Sequence, residues 1–193
     1  MTENALNNIA ETQTFMAPMA MEYRDLLLAG RRTQASKMIM EAAQKGMSFR
    51  KIYLDIFQPV QYDIGRLWQN NEISVAMEHY CTAATQLIMG QLFPYVLSNT
   101  RNGLTMVSCC LGGELHELGM RMVTDFFESE GWNTHFLGAN SPTDGILDML
   151  ATRKANLLCV SVTMTFNVHL ATQLIQKVRE ETQFSDLLIM VGG

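Results

Sequence analysis

The sequence predicts a helical bundle followed by a flavodoxin-like, doubly wound α/β domain. Two patterns along the 193 residues support this prediction, and they meet near residues 98–103. Before that stretch, apolar residues recur every three or four positions, which marks one face of a helix. After it, short β-rich runs alternate with helical patterns, as in parallel sheets with crossover helices. We therefore expect a mobile N-terminus at 1–15, a helical-bundle cap domain at 16–100 and an α/β domain at 101–193.

The first half contains four predicted helices, over residues 19–29, 33–45, 49–68 and 74–97. Gly30, Gly46 and the pair Asn70-Asn71 interrupt the pattern between them. One face of the third helix carries an apolar series, made of Ile52, Ile56, Val60, Ile64 and Leu67. Four such helices joined by short loops favour a bundle.

The second half is predicted to contain four strands, over residues 104–110, 133–137, 157–161 and 187–191. Helical patterns lie between them at 116–130, 142–153 and 167–182, and Pro142 suits a first helical turn. Such alternation predicts a parallel sheet. A complete domain of this type normally has another strand and helix, so we expect truncation after the fourth strand and an output domain or partner protein beyond residue 193.

Composition excludes several classes of function. The net charge is −5, and no basic stripe is available to neutralise phosphates, so nucleic-acid binding by this chain alone is not expected. No apolar run reaches the length of a membrane span, and the N-terminus lacks a signal-peptide pattern, so we expect a cytoplasmic protein with no membrane contact. The four cysteines show no Cys-x-x-Cys spacing and are interpreted as core residues.

The segment Glu114-Leu-His116-Glu-Leu-Gly119 carries the clearest chemical signal. It follows an apolar strand pattern and the Gly112-Gly113 turn, so His116 is predicted on the loop at the carboxyl end of a strand. Open α/β sheets bind their ligands at that edge. A lone histidine beside glycine is equally typical of an ordinary helix start, so the distances to later motifs decide the interpretation.

Forty-one residues separate Gly119 from Ser161-Val-Thr163, and twenty-eight separate Thr163 from Gly192-Gly193. Together these pieces resemble the cobalamin-binding signature Asp-x-His-x-x-Gly, Ser-x-Leu and Gly-Gly, with Glu114 in place of the Asp and Thr163 in place of the Leu. The resemblance implies that His116 replaces the dimethylbenzimidazole of the cofactor as the lower axial ligand of cobalt.

The same resemblance implies roles for the other residues of the motif. Glu114 would hold the second ring nitrogen of His116, as carboxylates commonly do behind metal-bound histidines. The displaced nucleotide tail would be buried at the strand ends, next to small residues and hydroxyls: Gly119, Ser161, Thr163, Gly192 and Gly193. Taken singly, these residues are typical turn glycines and strand hydroxyls.

A second signature lies in the helical half. Nine residues separate Trp68 from Glu78-His79, and Ser74 is predicted to cap the helix that carries Val75, Glu78 and His79. Singly, Trp68 is typical of a core aromatic and His79 of a helix start. The pattern Trp-x9-Glu-His before Glu-x-His-x-x-Gly resembles the CarH/LitR family of B12-dependent photoreceptors, over about residues 20 to 193.

This resemblance implies a light sensor without turnover. Adenosylcobalamin would lie between the bundle and the α/β domain, with His116 below cobalt and the adenosyl group under Trp68, Val75, Glu78 and His79. Light would break the cobalt–carbon bond and change the conformation, the homo-oligomeric state or the partner contacts. Two features depart from the family. The residues given before the bundle are too few and not basic enough to form the DNA-binding domain expected there, and Gln69 stands where the histidine that forms a bis-histidine state is expected.

Two alternatives remain open. One is a corrinoid carrier resembling the cobalamin module of methionine synthase and of methanol-type methyltransferases, where the cap protects a methyl group. The other is a B12 photoreceptor that also binds a bilin such as biliverdin in the apolar bundle. The fifteen methionines are compatible with such a site, but they are also ordinary core residues.

Overall fold

The computed structural model describes residues 16–193, and the predicted mobile segment 1–15 lies outside the described residues. It divides into two compact units, one up to Gln91 and one from Leu92 to Gly193. The order of elements confirms the predicted architecture of a helical bundle followed by a parallel α/β sheet.

The helical unit begins with α1 (Pro18–Leu28) and α2 (Arg32–Gln44). They are followed by α3 (Phe49–Ile52), a π-helical turn (Tyr53–Phe57), α4 (Gln58–Gln69) and α5 (Val75–Val96). The third predicted helix is therefore present, but it contains a π-helical turn that apolar periodicity does not reveal. Ser74 caps α5 as predicted, because its Oγ accepts a hydrogen bond from the Met77 N–H at 3.2 Å.

Aromatic rings fill the core of the bundle. Tyr23, Tyr53 and Phe57 are fully buried, and the Phe57 ring lies 5.2 Å from that of Tyr23 and 5.6 Å from that of Tyr53. Aromatic pairs at such distances add to the free energy gained from burying their area. These contacts join α1 to the π-helical turn.

The α/β unit contains β1 (Thr105–Cys110), β2 (Asn133–Phe136), β3 (Leu157–Ser161) and β4 (Leu188–Gly192). All pairs are parallel, in the order β2-β1-β3-β4. The connecting helices are α6 (Leu118–Ser129), α7 (Thr143–Arg153) and α8 (Val168–Glu180). The chain therefore moves one way from β1 to β2 and the other way to β3 and β4, which creates a switch point between β1 and β3.

Alternate residues of β1 face opposite sides of the sheet. Val107 and Cys109 pack in a cluster with residues of α7 and α8, whereas Met106 and Cys110 pack in a cluster with Met120 of α6. This period of two is the one expected of a strand covered on both faces. All four cysteines are buried and free, as the sequence predicted.

Among the described residues, no helix combines the length and the apolar character that crossing a membrane requires.

Candidate functional site

The loop that follows β1 carries His116. After β1, Leu111 bridges to Ser141, and the Gly112-Gly113 turn has the left-handed φ of +79° at Gly113 that favours glycine. Helix α6 begins at Leu118, two residues later than the predicted start at 116. His116 therefore lies on the loop itself, at the carboxyl end of β1, as the sequence predicted. The strand order also places this loop beside the switch point.

Glu114 is fully buried and contacts His116 twice. Its Oε1 accepts a hydrogen bond from the His116 N–H at 3.2 Å and another from Nδ1 of the ring. A carboxylate only accepts hydrogen bonds, so the ring proton lies on Nδ1 and a neutral ring keeps its lone pair on Nε2. The His116 side chain is 55% exposed, which leaves Nε2 accessible to a metal centre.

The second oxygen of Glu114 binds the loop after β3. Oε2 accepts from the backbone N–H groups of Thr163 and Met164, each at 3.0 Å, and lies 3.5 Å from the amide nitrogen of Asn167. Burial alone would raise the pKa of Glu114, but the hydrogen bonds from Met164, His116 and Thr163 outweigh it and lower the pKa to about 2. One ionised carboxylate therefore joins the two loops at the switch point.

The other predicted site residues of the α/β unit lie at the same edge of the sheet, in different environments. Ser161 is buried and hydrogen-bonded to the Cys110 thiol, whereas the Thr163 side chain is exposed and its backbone N–H binds Glu114. A methyl group at Gly119 or Gly192 would meet no atom within 4 Å. A methyl group at Gly193 would lie 2.0 Å from the Val162 carbonyl oxygen, so close packing requires glycine there.

These residues fit a corrinoid. His116 supplies an accessible nitrogen donor with a fixed ring, which is what an axial ligand of cobalt needs. Leu115 and Phe166, on the two loops beside it, are 71% and 64% exposed, and they offer apolar surface to a flat macrocycle. Open space beside Gly119 and Gly192 leaves room for a nucleotide tail.

Three polar residues that sequence reasoning missed hold the His116 loop in place. Asn140 accepts from the Gly113 N–H at 2.8 Å, Glu117 accepts from the Ala139 N–H at 2.7 Å, and Asn167 is buried beside Glu114. Asn140 has a φ of +52°, a conformation that asparagine tolerates better than most residues. Its position in the run Gly138-Ala-Asn140-Ser was a turn signal, but nothing there indicated its partner.

In the helical unit, the structure brings Glu78 and His79 together. Oε2 of Glu78 lies 2.6 Å from Nδ1 of His79, and the His79 side chain is 72% exposed. Val75 is 46% exposed in the first turn of the same helix, and Trp68 is 42% exposed near the end of α4. The turn between these helices starts with a hydrogen bond from the Asn71 N–H to the Trp68 carbonyl oxygen at 2.9 Å.

The chain is similar in sequence to curated corrinoid proteins. The chain is 24% identical over 135 residues to the dimethylamine corrinoid protein of Methanosarcina barkeri, which covers 64% of this chain and 63% of that protein. It is 26% identical over 88 residues to dimethylamine corrinoid protein 2 of Methanosarcina mazei, covering 46% and 41%. The chain thus spans less than two thirds of the length of these curated relatives.

A solved structure shares the fold. The monomethylamine corrinoid protein of Methanosarcina barkeri superposes with a TM-score of 0.78 at 21% identity, over 89% of this chain and 82% of that one. Two family models, each described as a B12 binding domain, match residues 20–92 and 104–193. Together they account for both the helical and the α/β parts of the sequence. The two parts of the chain therefore match B12 binding domains, and the chain is a cobalamin-binding protein.

Proposed function

We propose that this protein is a corrinoid carrier of a methyl-transfer system. In this proposal, residues 101–193 form the cobalamin-binding domain and residues 16–100 the helical cap domain. The chain itself would not be the methyltransferase, and its partners would be enzymes that load and unload the methyl group. The names of its curated relatives pair a corrinoid with dimethylamine, which supports a small methylated compound as the source of that group.

The observation that carries the proposal is the pair formed by Glu114 and His116. A bound cobalamin would supply a cobalt centre that accepts and releases a methyl group. His116 would hold that centre through Nε2, and the buried Glu114 would keep the ring proton on Nδ1 and the ring in one orientation. We propose that the displaced nucleotide tail contacts the small residues and hydroxyls at the strand ends, Gly119, Ser161, Thr163, Gly192 and Gly193.

An adenosylcobalamin photoreceptor is the second candidate function. The signature formed by Trp68, Val75, Glu78 and His79 favours it, because Trp68 and Val75 are exposed apolar side chains on the helical unit. In this case the four residues would contact the adenosyl group, and light would change the homo-oligomeric state or the contacts with an output partner. Because Gln69 stands where the family has a histidine, a bis-histidine light state would lack its usual second ligand.

One experiment separates the two functions. The protein is loaded in the dark with methylcobalamin or adenosylcobalamin, and dissociation constants, absorption spectra and elution volumes are measured before and after green light. A carrier binds the methyl form at least as tightly as the adenosyl form and keeps its elution volume. A photoreceptor prefers the adenosyl form and changes its elution volume after light. Far-red absorption after expression with biliverdin would indicate that the protein also binds a bilin.

The axial-ligand assignment has its own control. His116→Ala should lose the spectrum of histidine-ligated cobalamin, whereas His169→Ala should keep it. Among the described residues, the His169 ring in the first turn of α8 is hydrogen-bonded only to the Phe166 carbonyl oxygen, at 2.7 Å. An unchanged spectrum in His116→Ala would show that His116 does not bind cobalt. Failure of the parent protein to bind either cobalamin would overturn both functions.

A further inference from the structure

A continuous chain of hydrogen bonds crosses the helical unit from its core to its surface. Its five side chains before the final histidine lie on α1, α4 and α5: Tyr23, Thr85, Gln61, Thr82 and Glu78. Tyr23 and Thr85 are fully buried, while the side chains of Glu78 and His79 at the far end are 24% and 72% exposed. Burying polar groups costs free energy unless each finds a partner, and here each does.

Counting protons fixes the direction of the bonds in the core. The Thr85 hydroxyl donates its single proton to the Cys81 carbonyl oxygen at 3.0 Å, so it must accept from its other partners. Those partners are the Gln61 amide nitrogen at 2.8 Å and the Tyr23 hydroxyl at 3.0 Å. Burial raises the pKa of Tyr23, which keeps its phenol protonated as the donor. Gln61 is therefore held with its oxygen directed to Thr82.

The Thr82 hydroxyl links this buried network to the surface pair. It lies 3.0 Å from Oε1 of Gln61 and 3.1 Å from Oε1 of Glu78, and it shares its single proton between these two acceptors. The other Glu78 oxygen, Oε2, faces Nδ1 of His79 at 2.6 Å. Because a carboxylate does not donate, the proton between them belongs to His79 Nδ1.

We propose that Thr82, anchored by Gln61, is a positioning residue that holds the Glu78 carboxylate on the Nδ1 proton of His79, so that Nε2 is presented as a hydrogen-bond acceptor to a ligand. The ligand is one that supplies an N–H or O–H group, such as the amide side chains of a corrinoid or the hydroxyls of a nucleoside. The pair repeats the arrangement of Glu114 and His116, in which a carboxylate also takes Nδ1 and leaves Nε2 available. Only the identity of this ligand rests on the proposed function.

Nitrogen-15 NMR of the histidine rings tests the proposal in the full chain without cobalamin. The chain has four histidines, and His79→Gln identifies the His79 signals by their loss. In the parent protein, the neutral His79 ring should be mainly in the Nδ1–H form. In Thr82→Val, the ratio of the Nδ1–H to the Nε2–H form should fall by about three- to tenfold, the range that one net hydrogen bond supplies.

Conservative variants separate positioning from a general loss of structure. Thr82→Ser keeps the hydroxyl and should restore the parent tautomer ratio. Thr172→Val is the matched control and should leave the His79 signals unchanged. Within the described part of the chain, the Thr172 hydroxyl bonds only the Val168 carbonyl oxygen of its own helix, at 3.4 Å. If Thr82→Val does not fold, Thr82→Ala removes the same hydroxyl with the best helix former.

Two results would overturn the proposal. One is a parent spectrum in which neutral His79 is mainly in the Nε2–H form, and this measurement does not depend on any variant. The other is an unchanged tautomer ratio after the Thr82 hydroxyl is removed. Since the sample contains no cobalamin, either result leaves the corrinoid function untouched, and a failure to bind cobalamin leaves the tautomer result standing.

Discussion

Glu114 is the residue on which the geometry of the α/β site depends. Its two oxygens serve different loops, one holding His116 and the other the N–H groups after β3. The cobalamin signature has Asp at this position, and the longer Glu114 side chain reaches both loops from a fully buried place. The orientation of His116 and the position of the loop after β3 therefore depend on one side chain.

Glu114→Gln should lower the free energy of unfolding by about 1–3 kcal/mol, the cost of leaving a buried polar group unsatisfied. N–H groups donate to both oxygens of Glu114. The NH₂ group of a glutamine would therefore face an N–H donor on one side and could not accept its hydrogen bond. Urea titration measures the loss. Asp148→Asn, at an exposed carboxyl on α7, is the control and should change stability little. Equal stability of the two variants would show that Glu114 is not a structural anchor.

The cysteines give a second prediction for single residues. Burial raises the pKa of Cys109 and Cys159 to about 12 and that of Cys81 and Cys110 to about 11. Only the thiolate reacts readily, so thiol reagents near neutral pH should modify none of the four in the folded protein and all four in denaturant. A chromogenic disulfide reagent counts them, and rapid labelling of a folded-state thiol would contradict the burial of that residue.

At the scale of elements, an ion pair ties the first helix to the fourth. Asp63 of α4 is buried at 5% exposure, and its Oδ2 lies 2.9 Å from Nη1 of Arg24 on α1. Its other oxygen pairs with Arg66, one turn along its own helix. Arg24 also pairs with the neighbouring Asp25 at 2.8 Å, whose side chain is 65% exposed. The same arginine thus contacts one buried and one exposed carboxylate.

This arrangement offers a matched test. Asp63→Ala should lower the free energy of unfolding by about 1–3 kcal/mol. This is less than the loss expected when a wholly buried ion pair is broken, because Arg24 still contacts Asp25 and is partly exposed to solvent. Asp25→Ala should cost less than about 1 kcal/mol, as surface pairs do. Denaturant unfolding of both variants checks the difference. If Asp25→Ala proved the more damaging, the buried pair would not be what joins α1 to α4.

For the whole molecule, cobalamin should stabilise the folded state. A ligand that binds only the folded protein adds about 2.7 kcal/mol at a concentration one hundred times its dissociation constant. Thermal unfolding in the dark, with and without methylcobalamin, should show a rise in Tm that His116→Ala reduces. A saturating ligand that left Tm unchanged would contradict binding to the native structure.

Much of the fold was predictable because it depends on local patterns. A period of three to four residues marked the helices and short β-rich runs marked the strands, and the bounds agree to within about two residues in most elements. The π-helical turn at Tyr53–Phe57 was missed, since its residues continue the helical apolar series. Gly131 was missed too, although a methyl group there would lie 2.3 Å from the Thr100 carbonyl oxygen.

The sequence by itself determined the two kinds of domain, the loop that carries His116 and the spacing that indicated a cobalamin cofactor, because these follow from periodicity and from distances along one chain. Only the tertiary structure decided that Glu114 also binds the loop after β3 and that Asn140 and Asn167 hold the His116 loop. It also decided that Thr82 connects a buried network to Glu78. Most of these contacts join residues far apart in sequence. At Thr82, one hydroxyl proton has two possible acceptors. Such choices depend on where the folded backbone places each donor and acceptor.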